Sequence, residues 1–434
     1  MTRERKRSLK WLCFAAMSLV IAACKRDDKK PADHMTTITV ENVLDAKPLV
    51  QSGTFMGEGT PPVVFPGQSI SIRFSAAMGQ SLTFTTMYGW SKDLFFAPEN
   101  PGIMLYDEDG TPIEGDVSSQ IKLWDNGSKI NQAPGSDIGD KPTIDESKAI
   151  SEITGMDEQG NNYLPASQLV QADLSYDGDS YFTLTLKNTS GGTVNETPLS
   201  PGVWAISYVA GGELLTPTPL YHAGEMTTEE LTLLAETGDN TMLGEHITGM
   251  TGIFTPLSPI LVVVYSGDEN PIFMEGEKDR GEGLKELAQM GSTDMLVAAL
   301  EAKVAVKSVY VLPAENTGVL LPVINGQPGS SVSMEFTINK GDRLAIATMY
   351  GLSNDWFFAT PDEGIDGMRK GDISNQIMLY DNGTAVNEFP GAGMSQAAMG
   401  GTPIAEDENI MAVPNPNAFT TLPQVKDMVR VKLN

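Results

Sequence analysis

Apolar and polar residues alternate with a period of two through most of this chain. Ser69 to Phe74 (SISIRF) is followed by Ser81 to Met87, and Ser331 to Ile338 (SVSMEFTI) by Arg343 to Met349. Ser, Thr and Arg fall on one side and apolar residues on the other, the pattern of a half-buried strand. Ile38 to Val43 reads as the first strand of a first domain, and Tyr181 to Lys187 (YFTLTLK) as the strand that opens a second. Leu261 to Tyr265 (LVVVY) reads as a more fully buried strand, and Val429 to Leu433 as a closing one. Two places depart from this period. Thr227 to Thr237 puts Leu231, Leu234 and Ala235 on one helical face behind a threonine cap, and Gly283 to Met290 with Leu296 to Val304 is similar. The first half has no counterpart to either. The second domain is therefore expected to carry short helical insertions, or a third partial repeat lies between about 200 and 310. Residues 136–165, rich in Asp, Gly and Ser, read as loop.

The chain repeats itself. Met87 to Ala97 (MYGWSKDLFFA) recurs as Met349 to Ala359 (MYGLSNDWFFA), identical at eight of eleven positions. Gly115 to Gly135 recurs as Gly371 to Gly391, identical at twelve of twenty-one. The blocks keep their order, so two homologous domains are expected. The predicted fold class is mainly β: a two-sheet β-sandwich repeated in tandem, the first over 36–180 and the second over 181–434.

Composition narrows the function. Of 434 residues, 56 are acidic and 29 basic, a formal charge of −27, which excludes a nucleic-acid binder that needs clustered Lys and Arg. The 43 glycines and 27 prolines favour strands and turns over a helical bundle. Arg3, Arg5, Lys6, Arg7 and Lys10 precede an apolar run from Trp11 to Ala23, so residues 1–23 read as a signal peptide. The run ends Val-Ile-Ala-Ala-Cys and resembles the lipobox of bacterial lipoproteins. Cys24 would then be the lipidated first residue of the mature chain, and residues 24–35 a polar tether. Lys25 after the cysteine resembles cargo sorted to the outer membrane. The other cysteine, Cys13, falls inside the signal, leaving neither disulfide nor thiol chemistry after export.

One constellation could carry chemistry. Each repeat presents an aspartate after a Ser-x motif and a second one in Asp-Asn-Gly about thirty residues on, giving Asp93 with Asp125 and Asp355 with Asp381. Two carboxylates on adjacent loops could share calcium, with Asn126, Asn131, Asn382, Asn387 and Glu388 as further oxygen donors and Asp116 and Asp372 as weaker candidates. The same residues could instead cap turns through local amides. Trp90, Phe95, Phe96, Trp356, Phe357 and Phe358 are either core residues or ligand contacts. Trp124 and Tyr380 alternate with Leu123 and Leu379, so one of each pair is expected to point away from the core. Catalysis has little to work with. The three histidines, His34, His222 and His246, form no metal or triad motif, and no nucleophile elbow or phosphate loop occurs. A hydrolase using Asp93 and Asp125 as acid and base is the remaining enzymatic alternative.

The two blocks, from Thr86 to Pro98 and Gly115 to Gly135 with their second copies, resemble the N-terminal domain of spondins, above all the bacterial spondin-domain proteins. Pro219 to His222 and Leu233 to Gly238 are similar to the histidine-bearing strand and Leu-Ala-Glu-x-Gly element of that family. The resemblance implies tandem C2-like β-sandwich domains, the first abridged between Gly53 and Gly67, calcium held at Asp93 and Asp125 and at Asp355 and Asp381, and adhesion to extracellular protein or glycan. The sequence departs where the family's second acid falls on Lys129 and Ala385 and its alanine on Asn126 and Asn382. The expectation is a non-enzymatic, lipid-anchored envelope protein, with a structural or accessory protein lacking its own ligand as the alternative.

Overall fold

The computed structural model describes residues 34–434 except Asn316; the signal peptide, Cys24 and nearly all of the tether lie outside them. The chain is mainly β, with antiparallel sheets packed face to face as two β-sandwiches. In the first sandwich one sheet runs in the order Ser69–Ser75, Tyr181–Asn188, Val170–Gly178, Gly115–Asp116. The other runs Leu49–Phe55, Leu199–Ser207, Ser81–Tyr88, Leu94–Pro98, Ile121–Asp125, Ser151–Glu152. Ile72, Phe74, Phe84, Phe96, Leu123, Phe182 and Leu184 meet between them in one core. The second sandwich repeats both sheets. One is Ser331–Ile338, His34–Asn42, Val429–Leu433, Gly371–Asp372. The other is Val306–Leu312, Ile260–Ser266, Asp342–Met349, Trp356–Ala359, Met378–Asp381, Met411–Ala412.

Two expected assignments are corrected by this pairing. The N-terminal strand His34–Asn42 does not open the first sandwich. It lies in the second, where Val40 faces Val332 on one side and Val431 on the other. Tyr181–Asn188 does not open the second domain; it pairs with Val170–Gly178 and Ser69–Ser75 in the first. These two strands hold the same place in the two copies. The second sandwich is thus discontinuous, built from the N-terminal strand and the last part of the chain, with the first sandwich inserted between. The boundary expected between 180 and 181 cuts through a hairpin whose register runs unbroken from Val170 with Asn188 to Tyr176 with Phe182. The first sandwich lacks no strand of the larger sheet, since Leu49–Phe55 supplies the edge that Val306–Leu312 supplies in the second; the connection that follows it, Phe55 to Ser69, is shorter than its counterpart from Leu312 to Ser331.

Apart from the single turn Ala166–Leu169, the α-helices come as one pair on each sandwich. Glu229–Thr237 and Thr241–Met250 cover the first sandwich, where Leu231, Leu234, Leu243 and Ile247 pack on Phe95, Trp124 and Val203. Leu284–Met290 and Asp294–Glu301 cover the second in the same way, over Leu261, Val263 and Phe357. So the helical insertions are not confined to the second domain. Their cover also explains why Leu123 and Trp124, and Leu379 and Tyr380, are all buried. An alternating strand loses its exposed face when a helix lies on it. Among the described residues no helix is long and apolar enough to cross a membrane.

The sandwiches are fused. Leu352, Phe254 and Ala392 of the second pack into the core of the first. Beside them Glu388, nearly buried, accepts hydrogen bonds from Ser180 Oγ, Asn354 Nδ2 (2.9 Å), Ser395 N (3.0 Å) and Ser395 Oγ. Ser180 stands in the left-handed region (φ 65°) at the tip of the Val170–Asn188 hairpin. There its hydroxyl also accepts from Met394 N at 2.7 Å.

Candidate functional site

Each aspartate pair forms where one strand of the helix-covered sheet begins beside the end of the next. Leu94 lies opposite Asp125, and Trp356 opposite Asp381. Asp93 and Asp355, one residue earlier, are therefore brought against the Asp-Asn-Gly turns, and both are fully buried. Asp93 Oδ2 accepts from Ser128 N (2.9 Å), Ser128 Oγ (3.2 Å) and Lys129 N (2.8 Å). Asp355 Oδ2 accepts from Thr384 N (2.7 Å), Thr384 Oγ (2.9 Å) and Ala385 N (3.0 Å). Asp125 accepts from Gly127 N (2.8 Å) and Asn131 Nδ2 (2.6 Å), and Asp381 from Gly383 N (2.9 Å) and Asn387 Nδ2 (2.5 Å). These bonds clamp the turn to the preceding strand in both copies. In each, the second oxygen of the buried aspartate, Oδ1, has no partner.

Burial, then the neighbouring carboxylate, pushes Asp93 and Asp355 up to about 7 against the pull of their turn amides. Burial also raises Asp125. A carboxyl whose folded pKa lies above its unfolded value favours the folded state most while it is protonated. Its contribution is lost as pH rises from about 4 through about 7. Asp93→Asn keeps an acceptor for the turn amides without the charge. The variant is expected to lose part of the wild-type decline in urea-unfolding stability between pH 4 and pH 8. Every pH unit that separates the folded from the unfolded pKa of this carboxyl contributes roughly 1.4 kcal/mol to that decline. Equal slopes in variant and wild type would contradict the assignment.

The two copies differ beside this clamp. Lys148 and Glu408 hold the same place, their amides bonding to Gly127 O and Gly383 O (2.9 Å each); Glu146 and Glu406 correspond two residues earlier. In the first copy Lys148 Nζ pairs with Glu146 (2.6 Å) and Glu158 (2.5 Å), and its charge favours ionised Asp125. In the second, Asp381, Asn387, Glu406 and Glu408 line a cavity of about 540 Å³ together with Lys278, whose Nζ is paired with Asp407 (2.5 Å). Burial and the charges of Asp381 and Glu408 raise the carboxyl of Glu406. Asn387 Oδ1 is buried without a partner there. Lys129, expected to bring positive charge to the first pair, instead points its Nζ at Asp145 (2.6 Å) and Glu236 (3.4 Å).

Other expected residues fall elsewhere. Asp116 and Asp372 sit on the opposite sheet and cap Ser118 and Ser374. Glu388 serves the junction between the sandwiches. Phe95, Phe96, Trp356, Phe357 and Phe358 are core residues, while Trp90 is half-buried. His222 and His246 border a separate cavity of about 320 Å³ under the first helix pair.

The difference between Lys148 and Glu408 lies in a stretch that reads as loop. A further repeat lies outside the two long blocks: Thr197 to Pro201 and Thr255 to Pro259 are both Thr-Pro-Leu-Ser-Pro. Ser200 Oγ and Ser258 Oγ each accept from the amide of the repeated methionine, Met87 or Met349, at 2.9 Å.

Fold and site together define a mainly β protein of two fused, homologous sandwiches, each with a buried aspartate clamp. No protein-family model matches the chain, and no curated protein is significantly similar to it. The likeness to spondin domains rests on the repeated motifs.

Proposed function

We propose that this is a non-enzymatic, lipid-anchored protein of the bacterial outer membrane, whose sandwiches bind extracellular or surface ligands and of which the second is stabilised by calcium. The reading rests on the duplicated clamp. Its buried carboxylates are committed to turn amides, and the hydroxyls that face them, of Ser128 and Thr384, donate to the same carboxylate oxygens; among the described residues no histidine joins them. Its N-terminal motif supplies the anchor. Among the described residues no three or more His, Cys, Asp or Glu side chains are arranged to hold a metal ion. Calcium, however, also accepts amide and carbonyl oxygens. The second copy offers the carboxylates of Asp355 and Asp381 and the amide oxygen of Asn387, two of these three residues with an unpartnered oxygen. The first copy carries its own cation in Lys148 and does not fit a second one.

Calorimetric titration of the chelated protein with calcium is expected to give one site and a rise in melting temperature of a few degrees at saturation, about 2.7 kcal/mol at a hundredfold excess over Kd. Asp381→Asn should abolish both, Asp125→Asn should leave both intact, and Lys148→Glu should add a second site. Unchanged melting of the wild type with calcium would remove the metal from this reading. For the anchor, Cys24→Ala should move the protein from the membrane to the soluble fraction. A wild-type chain found soluble would sink the envelope assignment.

A further inference from the structure

A pocket is duplicated with the fold. In the first sandwich Met87, Gly89, Pro198, Ser200, Pro201 and Gly238 frame a cavity of about 560 Å³. In the second, Met349, Gly351, Pro256, Ser258, Pro259 and Gly291 frame one of about 610 Å³. The frame is conserved between copies down to its close approaches. A Cβ on Gly238 would lie 2.9 Å from Ser200 Cβ, and one on Gly291 2.8 Å from Ser258 Cβ. Each glycine ends its helix in the left-handed conformation and lets that turn sit directly on the Ser-Pro bend.

On this common frame the walls have diverged. Trp90, Lys92, Lys129, Glu236, Thr237 and Asp239 line the first pocket. Their counterparts, by the repeat alignment and the helix-ending glycines, are Leu352, Asn354, Ala385, Gln289, Met290 and Ser292. The second pocket is walled on one side by the other sandwich, through Met78, Gly79 and the Val209–Gly212 bend, and Leu352 is buried in the junction. Nothing of that kind covers the first among the residues lining it. There the tryptophan is half-buried beside the flat faces of Pro61, Pro62 and Pro201. The polar side chains around it are held in place. Lys92 Nζ donates to Lys141 O and Thr143 Oγ1 (2.9 Å each), Lys129 pairs with Glu236 at 3.4 Å, and Asp239 commits Oδ1 to the amide of Thr241.

We propose that the first pocket binds a saccharide, with one sugar face stacked on Trp90 and its hydroxyls bonded to Glu236, Asp239 and the lysines. A sugar ring presents an apolar C–H face and a rim of hydroxyls that both donate and accept. An aromatic platform ringed by fixed carboxylates and ammonium groups complements both features. A purely apolar ligand would take water from those charged groups and put nothing in its place, and a polyanion would meet the two carboxylates and a strongly acidic chain. The second pocket kept the frame, lost the charges and became part of the junction. This proposal rests on the surface-binding reading above and names the ligand class for it.

Calorimetry of the purified full chain against cellohexaose, chitohexaose and maltohexaose tests it. At least one is expected to bind with Kd at or below about 1 mM. Trp90→Ala should weaken that binding about tenfold or more, the loss of one stacking contact. Trp90→Phe should retain most of it. Both variants should stay folded, Trp90→Phe melting close to the wild type and Trp90→Ala somewhat lower, because Trp90 packs half-buried against the first core. Absence of heat with all three sugars at about 5 mM, or wild-type affinity in Trp90→Ala, would overturn the proposal. A protein that fractionates with membranes yet binds no sugar loses only the saccharide assignment, whereas a soluble one that binds sugar loses only the anchor.

Discussion

Val40→Asp is expected to unfold the second sandwich. Val40 is completely buried at the middle of the N-terminal strand, between Val332 and Val431 on the neighbouring strands. A carboxylate there has no cation on its face of the sheet, since Arg430 and Lys432 of the neighbouring strand lie on the other face, and burying it costs about 4 kcal/mol or more, comparable to the whole stability of a small domain. The strand is central, so its loss also strands Ser331–Ile338 from Val429–Leu433. Limited proteolysis should therefore cut first in residues 253–434, far along the chain from the substitution, and only later in 49–250. Thr39→Asp, one residue away on the solvent face, should change the stability by no more than about 1 kcal/mol. If Val40→Asp instead sensitised the first sandwich alone, the placement of this strand in the second would be wrong.

Glu388→Ala is expected to be the next most damaging change. Its carboxylate gathers four donors from three residues, and alanine would leave Ser180 Oγ, Asn354 Nδ2 and the amide and hydroxyl of Ser395 without their acceptor in a buried place. Each orphaned donor costs about 1–3 kcal/mol, less where a hydroxyl can turn to another partner, so a loss of roughly 3–5 kcal/mol is expected in chemical unfolding. The bond from Ser180 crosses between sandwiches while the other three brace the second, so the single transition should split into two with the second sandwich melting first. Ser180→Ala should be milder, and the double variant Ser180→Ala with Glu388→Ala should fall well short of additive, because both remove the same bond. A loss under about 1 kcal/mol, or strict additivity, would show that the junction is held by the apolar contacts of Leu352, Phe254 and Ala392 alone.

Much of the fold is legible in the chain itself. The strands at Ser69, Ser81, Ser331 and Val429 announce themselves by alternation, and the repeated blocks announce two related sandwiches. The pairing of Asp93 with Asp125 and of Asp355 with Asp381 follows from the repeats, and the helical character of Glu229–Thr237 and Leu284–Met290 from the spacing of their apolar residues. What each aspartate does is open between metal and turn in the sequence, and the turn bonds are present in both copies. Glu388 reads as one more oxygen donor near a cation. Its position is Gln132 in the first copy, where no second sandwich arrives, so comparing the repeats could not reveal a junction. Lys148 and Glu408 lie in segments without alternation, where correspondence becomes visible only through the backbone bonds to Gly127 and Gly383.

The sequence by itself determined the strand periodicity, the turn chemistry of Asp-Asn-Gly and the helical faces, because these depend on residues close together in the chain, and the duplication, which is a comparison of the chain with itself. Only the tertiary structure decided which sheet His34–Asn42 enters. A period of two says which face of a strand is apolar, but its backbone N–H and C=O groups are the same along either edge and carry no address. The gap between Ser331–Ile338 and Val429–Leu433 is filled by a strand from the other end of the chain because the hairpin Val170–Asn188 already fills its equivalent in the first sandwich.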